Sequence, residues 1–258
     1  MEHSDSSGFC TYVKIIEGTK LWVVGTRKGH IKSSEDVYTW ECAELGPRDQ
    51  LLMSPGTPHF VITTNDCFTV GAHFYNICCM KHSLDAVVNE HFLGTEWTND
   101  EYPTAPITLF KLMDDIRLQV LADKCGMYIL HPRHLMSPTI CILIHIPDEI
   151  DATDEEIAYL VVLVVHIDQL EPMRTESSVR ERWVGTDNFI HDFKQIQWIA
   201  QELCGEMFRQ NDEFKSILKE CEGYLGNCIR TCQDLISKRR ARFPEWAKFT
   251  LKSLSDLL

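Results

Sequence analysis

His3-Ser-Asp5, then Gly8-Phe-Cys-Thr-Tyr-Val-Lys-Ile-Ile-Glu-Gly18-Thr-Lys20-Leu-Trp22, then Pro55-Gly-Thr-Pro-His59-Phe-Val-Ile62: these three stretches decide how the chain is read. The second alternates apolar and polar residues across a Gly-Thr break, which predicts two short strands joined by a turn. Working outward, similar runs rich in Val, Ile, Thr and aromatics fall at 9–16, 20–25, 37–42, 49–53, 59–64 and 67–75. Gly18, Gly25, Gly29, Gly46-Pro47, Pro55-Gly56 and Asn65-Asp66 separate them, so residues 8–76 are expected to form a barrel or jelly roll. Two histidines and a carboxylate at the ends of neighbouring strands make a facial triad. That donor set suits non-haem Fe(II) and leaves three positions open.

From about residue 77 the hydrophobic period becomes helical. Helices are expected at 77–93, 106–122, 153–170, 187–209, 212–239 and 244–257, with N-caps at Thr153, Asp187 and Asp212. Segment 171–186, with Pro172 and its Thr-Glu-Ser-Ser run, reads as a linker. The division expected is therefore a β core over 1–76, a helical extension packed on it over 77–170, and a C-terminal helical region over 171–258.

Composition narrows the function classes. At 258 residues and 44% hydrophobic, the chain has enough material for a sizeable core. A net charge of −13 argues against nucleic acid as a direct partner and suits a basic protein segment, such as a histone tail. The longest apolar stretch, Ile157 to Val165, is about half of what a bilayer requires, so no membrane span is expected. Met1-Glu-His-Ser-Asp5 lacks the basic start and apolar stretch of a secretory signal, and the 11 cysteines are irregularly spaced. Reduced thiols in a nuclear or cytoplasmic protein are the expectation.

A bare His-x-Asp/Glu carries little information, because this composition yields about 1.6 of them by chance. Two occur. His166-Ile-Asp168 lies in an apolar run with no third ligand nearby and reads as structural. His3-Ser-Asp5 differs through its context, which resembles the JmjC family of Fe(II)- and 2-oxoglutarate-dependent oxygenases, in a wording close to fungal versions. The matching features are the metal motif, the strand and Gly turn after it, Lys20 and Trp22 on the next strand, and Pro55-Gly-Thr-Pro-His59. Asp66-Cys-Phe-Thr-Val-Gly-Ala-His73-Phe-Tyr75 resembles the family's closing strand. The likeness covers residues 3–76 and extends weakly to about 120.

The resemblance implies an α+β protein, a partial double-stranded β-helix (jelly roll, cupin-like) followed by an α-helical region. It implies His3, Asp5 and His59 as metal ligands and as the catalytic centre. Lys20 would hold the far carboxylate of 2-oxoglutarate, and His73 would lie near that co-substrate. The implied reaction is hydroxylation or N-methyl demethylation of a protein substrate, using Fe(II) with 2-oxoglutarate. The family's jelly roll has about eight strands, two of them before the metal motif. Only six are legible here, so an N-terminally truncated form with weak turnover is expected. The alternative from another class is a catalytically inactive cupin-like scaffold whose helices bind a partner.

Other features read as structural. Cys125 with His131-Pro-Arg-His134 lacks the second cysteine pair of a zinc site. Cys221, Cys228 and Cys232 share one helical face, as small apolar residues do. Trp183, Trp198 and Trp246 with Phe189, Phe193 and Phe208 are expected to pack the helical region, while Lys238-Arg-Arg-Ala-Arg242 reads equally as a weak nuclear-import patch or as a basic helix C-terminus beside the negative end of the dipole.

Overall fold

The computed structural model describes residues 3–27, 38–93, 102, 105–125, 152–170, 193–239 and 253–254. The expected Asp187 cap, the 171–186 linker, the 131–134 histidines and nearly all of the 244–257 helix lie outside them. The chain divides into two compact units, Met1–Glu101 and Tyr102–Leu258.

Among the described residues the first unit contains six strands: β1 (Cys10–Glu17), β2 (Lys20–Arg27), β3 (Tyr38–Leu45), β4 (Gln50–Met53), β5 (His59–Thr63) and β6 (Phe68–Phe74). They form two antiparallel three-stranded sheets, in the orders β4-β1-β6 and β3-β2-β5. Period-two alternation on β1 turns Thr11, Val13 and Ile15 inward. Val13, Ile15 and Met53 from one sheet cluster with Trp22 from the other, and Val24, Leu45, Leu51 and Val61 pack around them. The two sheets thus share one apolar core.

The β1–β2 turn depends on Gly18. At φ +77°, a Cβ there would lie 2.0 Å from the Asp66 carbonyl oxygen, so only glycine lets the β1–β2 and β5–β6 turns touch. The Asn65 side chain completes the lock by accepting a hydrogen bond from the Thr19 N–H at 2.8 Å.

A 3-10 turn at Ile77–Cys79 leads into α1 (Met80–Leu93). The turn is started by the Asn76 side chain, which accepts from the Cys78 N–H at 3.1 Å. Met80, Leu84 and Val88 are fully buried, a stripe at helical spacing. Gly8 and Gly56 lie against α1, at Ser83 and Ala86 respectively.

The second unit is helical: α2 (Ala105–Cys125), α3 (Asp154–Leu170), α4 (Phe193–Gln210) and α5 (Phe214–Arg239). Of the helices expected over 77–170, α1 belongs to the first unit, while α2 and α3 pack with α4 and α5. Residues 157–165 are buried throughout, so α3 is apolar on every face and central to its unit. Thr153 caps α3 as expected. Its hydroxyl accepts from the Glu156 N–H while the Glu156 carboxylate accepts from the Thr153 N–H at 2.7 Å, a capping box. Just before α5 it is the Asn211 side chain, one residue ahead of the expected Asp212, that accepts from the Glu213 N–H at 2.9 Å. Phe214, Leu218, Cys221, Leu225, Ile229 and Cys232 form the buried seam of α5.

Trp198 departs from the expected aromatic packing. It is half exposed, with the Arg117 guanidinium 5.2 Å above its ring, and Arg117 also pairs with Glu202 at 2.6 Å. Among the described residues, no helix is long and apolar enough to cross a membrane.

Candidate metal centre

His59 opens β5, and its backbone exchanges two hydrogen bonds with His3, at 3.0 Å and 2.7 Å. Directly opposed residues of an antiparallel pair project to the same face. The two imidazoles accordingly meet with centroids 4.4 Å apart. Asp5 follows His3 by two residues and joins them. One donor atom from each of His3, Asp5 and His59 lies within 4.8 Å of the other two. Metal–ligand bonds of ~2 Å put donors bound side by side on one cation roughly 3 Å apart, so the remaining gap is of rotamer size.

Two of the three candidate ligands, His59 and Asp5, have side chains held by a neighbour. His59 Nδ1 lies 3.0 Å from the Thr57 carbonyl oxygen, which can only accept, so Nδ1 carries the proton and Nε2 offers its lone pair. That is the usual arrangement of a metal-binding imidazole. Burial holds His59 below the ordinary histidine range, against the opposing pull of the Thr57 carbonyl and Asp5. The ring is therefore neutral at pH 7, the form that binds a cation. Trp22 stacks on the His59 ring, with centroids 5.5 Å apart.

Asp5 is buried, and the Thr11 hydroxyl donates to its Oδ2. With that proton committed, the 3.0 Å contact between Thr11 Oγ1 and His73 Nδ1 must run from His73 to Thr11. A chain His73→Thr11→Asp5 orients the carboxylate and leaves Oδ1 for a cation. His73 is cross-strand from Thr11, with Nδ1 4.0 Å from Asp5 Oδ2, so it stands behind the acid.

Lys20 is the first residue of β2, two positions before Trp22, and pairs with Thr63 while Val24 pairs with His59. Alternation puts Lys20, Trp22, Val24 and His59 on one face of that sheet. No ion pair to Lys20 is found among the described residues. The indole Nε1 of Trp22 is fully buried and has no hydrogen-bond partner, a group a bound polar ligand would satisfy.

Sequence reasoning missed Thr11, Trp22 and Thr57 as parts of the site. Thr11 had a signal, since it is the polar member of an otherwise apolar inward row with Val13 and Ile15. The second motif is placed differently. His166 lies in α3 and is fully buried, away from the first unit's candidate ligands in the sequence and with no further donor cluster around it among the described residues.

No protein-family model matches the chain, and no curated protein matches it in sequence.

Proposed function

We propose that this protein is a JmjC-like Fe(II)- and 2-oxoglutarate-dependent dioxygenase that hydroxylates a protein substrate or removes N-methyl groups from it. The observation that carries the reading is the convergence of His3, Asp5 and His59, with the His59 tautomer set for metal binding.

The strand order supports a jelly roll. Rolling up a long antiparallel hairpin keeps its rungs, here β2 with β3 and β1 with β4. It also brings the returning strands onto the first two, here β5 onto β2 and β6 onto β1. Six consecutive strands of a double-stranded β-helix pair in this way.

Fe(II), 2-oxoglutarate and dioxygen would together supply, when bound, the oxidant that removes hydrogen from a C–H bond: O2 is reduced, one of its atoms entering succinate as 2-oxoglutarate loses CO2 and the other entering the substrate. The protein's part is placement. His3, Asp5 and His59 would hold three positions on one side of the metal. Lys20 would fix the far carboxylate of the co-substrate as a point charge, and the Trp22 N–H would donate to a ligand oxygen. The net charge of −13 suits a basic, histone-like segment as substrate. The nine cysteines whose side chains are described form no disulfides, in keeping with a reducing nuclear or cytoplasmic compartment.

The test is an anaerobic Fe(II) titration followed by 2-oxoglutarate, read by the charge-transfer absorbance of the chelate and then by succinate release. The parent should develop the band and His59→Ala should not. Lys20→Ala should keep the metal while needing more 2-oxoglutarate, because it meets only the far carboxylate. A parent that binds no metal returns the chain to the inactive-scaffold reading.

A further inference from the structure

We infer that Glu90 of α1 is a positioning residue for the metal ligands. It fixes the turn at Ser7–Gly8 and so holds His3-Ser-Asp5 against the start of β5. This inference rests on the metal-centre reading above and adds to it the device that keeps the motif in place.

The turn between Asp5 and β1 has an unusual backbone. Ser7 has φ 61° and Gly8 has φ 70°, two successive residues in the left-handed region. For serine that conformation is uncommon and needs outside support. The support comes from two side chains. The Ser7 N–H donates to Glu90 Oε2 at 2.7 Å, and the Tyr75 hydroxyl donates to the Ser7 carbonyl at 2.6 Å. Both polar backbone groups of one strained residue are thereby held, one from α1 and one from the residue after β6.

Gly8 seals the contact. A Cβ there would lie 2.7 Å from the Ser83 carbonyl oxygen, so α1 touches the turn itself. Ser6, Ser7 and Glu90 are all buried, and Phe9 packs on Tyr75 with ring centroids 4.4 Å apart. A buried carboxylate is costly unless it makes a specific bond, and this one is spent on a turn two residues from a metal ligand. Without it, Ser7 would relax toward ordinary backbone and carry Asp5 with it.

The experiment is a Co(II) titration of the full chain, read by visible absorption. It uses Glu90→Gln, Glu90→Leu and Tyr75→Phe, with His59→Ala as the site control. The Gln amide oxygen still accepts from the Ser7 N–H, so Glu90→Gln should bind Co(II) much as the parent does. Glu90→Leu should bind roughly 10–100-fold more weakly, the usual cost of losing an outer support of a metal ligand. Tyr75→Phe should show a smaller loss, and it decides the matter if the Leu variant does not fold.

Melting curves accompany each titration, because a purely structural role would lower the melting temperature and leave the affinity of the folded protein unchanged. Parental affinity in folded Glu90→Leu or in Tyr75→Phe overturns the inference alone. A Gln variant as weak as the Leu variant also overturns it, since charge and not the hydrogen bond would then matter. A parent that takes up no Co(II), or one whose uptake survives His59→Ala, overturns the metal reading and this inference together.

Discussion

The two units bury different kinds of residue. Among the described residues, eleven polar or charged side chains are buried, and eight of them lie in Met1–Glu101: Asp5, Ser6, Ser7, Thr11, His59, Ser83, Glu90 and His91. The helical unit buries mainly aliphatic side chains, with α3 apolar over 157–165 and α4 and α5 each contributing one apolar stripe. Apolar cores lower the free energy without demanding precise placement, whereas buried polar groups destabilise unless each finds its partner. A fold that accepts such a group where an aliphatic one would serve stability is being shaped by something else. On the metal-centre reading proposed above, in the first unit that is the geometry around His3, Asp5 and His59. The second shows the same chemistry of folding without that demand.

The largest expected effect tests whether stability and site chemistry separate in this way. Leu160 is fully buried in α3. Leu160→Ala should cost about 2–5 kcal/mol, the range for a leucine removed from a packed core. Metal affinity should hold, because every residue that carries the site lies in the first unit. Urea unfolding and a Co(II) titration of one preparation check both halves. A variant that loses metal affinity in step with its stability would break the contrast.

Acid sharpens it next, through the one buried histidine of α3. Burial pushes His166 down to about 4. A folded value below the unfolded 6.5 means that the unfolded chain binds more protons between those limits. Stability is full above about pH 6.5 and falls as pH drops toward 4, by roughly 3 kcal/mol from this residue. Carboxylates titrate in the same window, so the readout is the difference between parent and His166→Gln in urea unfolding from pH 7.5 to 4. Parallel curves would remove His166 as the cause.

How much of this was legible in the sequence differs between the units for the same physical reason. The six strand runs and the α2 and α5 stretches could be read because periodicity follows from burial against one face, and α3 because Thr153 caps an unbroken apolar run. The candidate ligands could be picked out because metal chemistry restricts residue type, and the fold brings His3, Asp5 and His59 together. Their supports could not. Glu90 lies eighty-five positions from Asp5, and nothing local in α1 marks an acid that will meet the Ser7 N–H. Trp198 was misjudged because periodicity does not reveal that a neighbouring guanidinium, Arg117, can cover an exposed ring. The Asp212 cap failed by one residue, within the play that adjacent Asn211 and Asp212 allow.

The smallest expected effect is also the most local. Thr11→Val removes one hydroxyl and keeps the branched shape, so β1 should retain its strand and its place in the inward row. The loss falls on two neighbours: Asp5 Oδ2 gives up its donor and His73 Nδ1 gives up its acceptor. A hydrogen bond to a charged group contributes ~1.5–3 kcal/mol. Part of this is recovered by reorientation, so metal affinity should fall roughly tenfold, about 1.4 kcal/mol. Urea unfolding of the metal-free protein should move by less than that, since without a cation the orientation of Asp5 matters less. A Co(II) titration beside the unfolding curve distinguishes the outcomes. Unchanged affinity would mean that Asp5 is oriented by the backbone of His3-Ser-Asp5 alone. A large loss of metal-free stability would mean that Thr11 serves the core, and the polar groups of the first unit would then need another explanation.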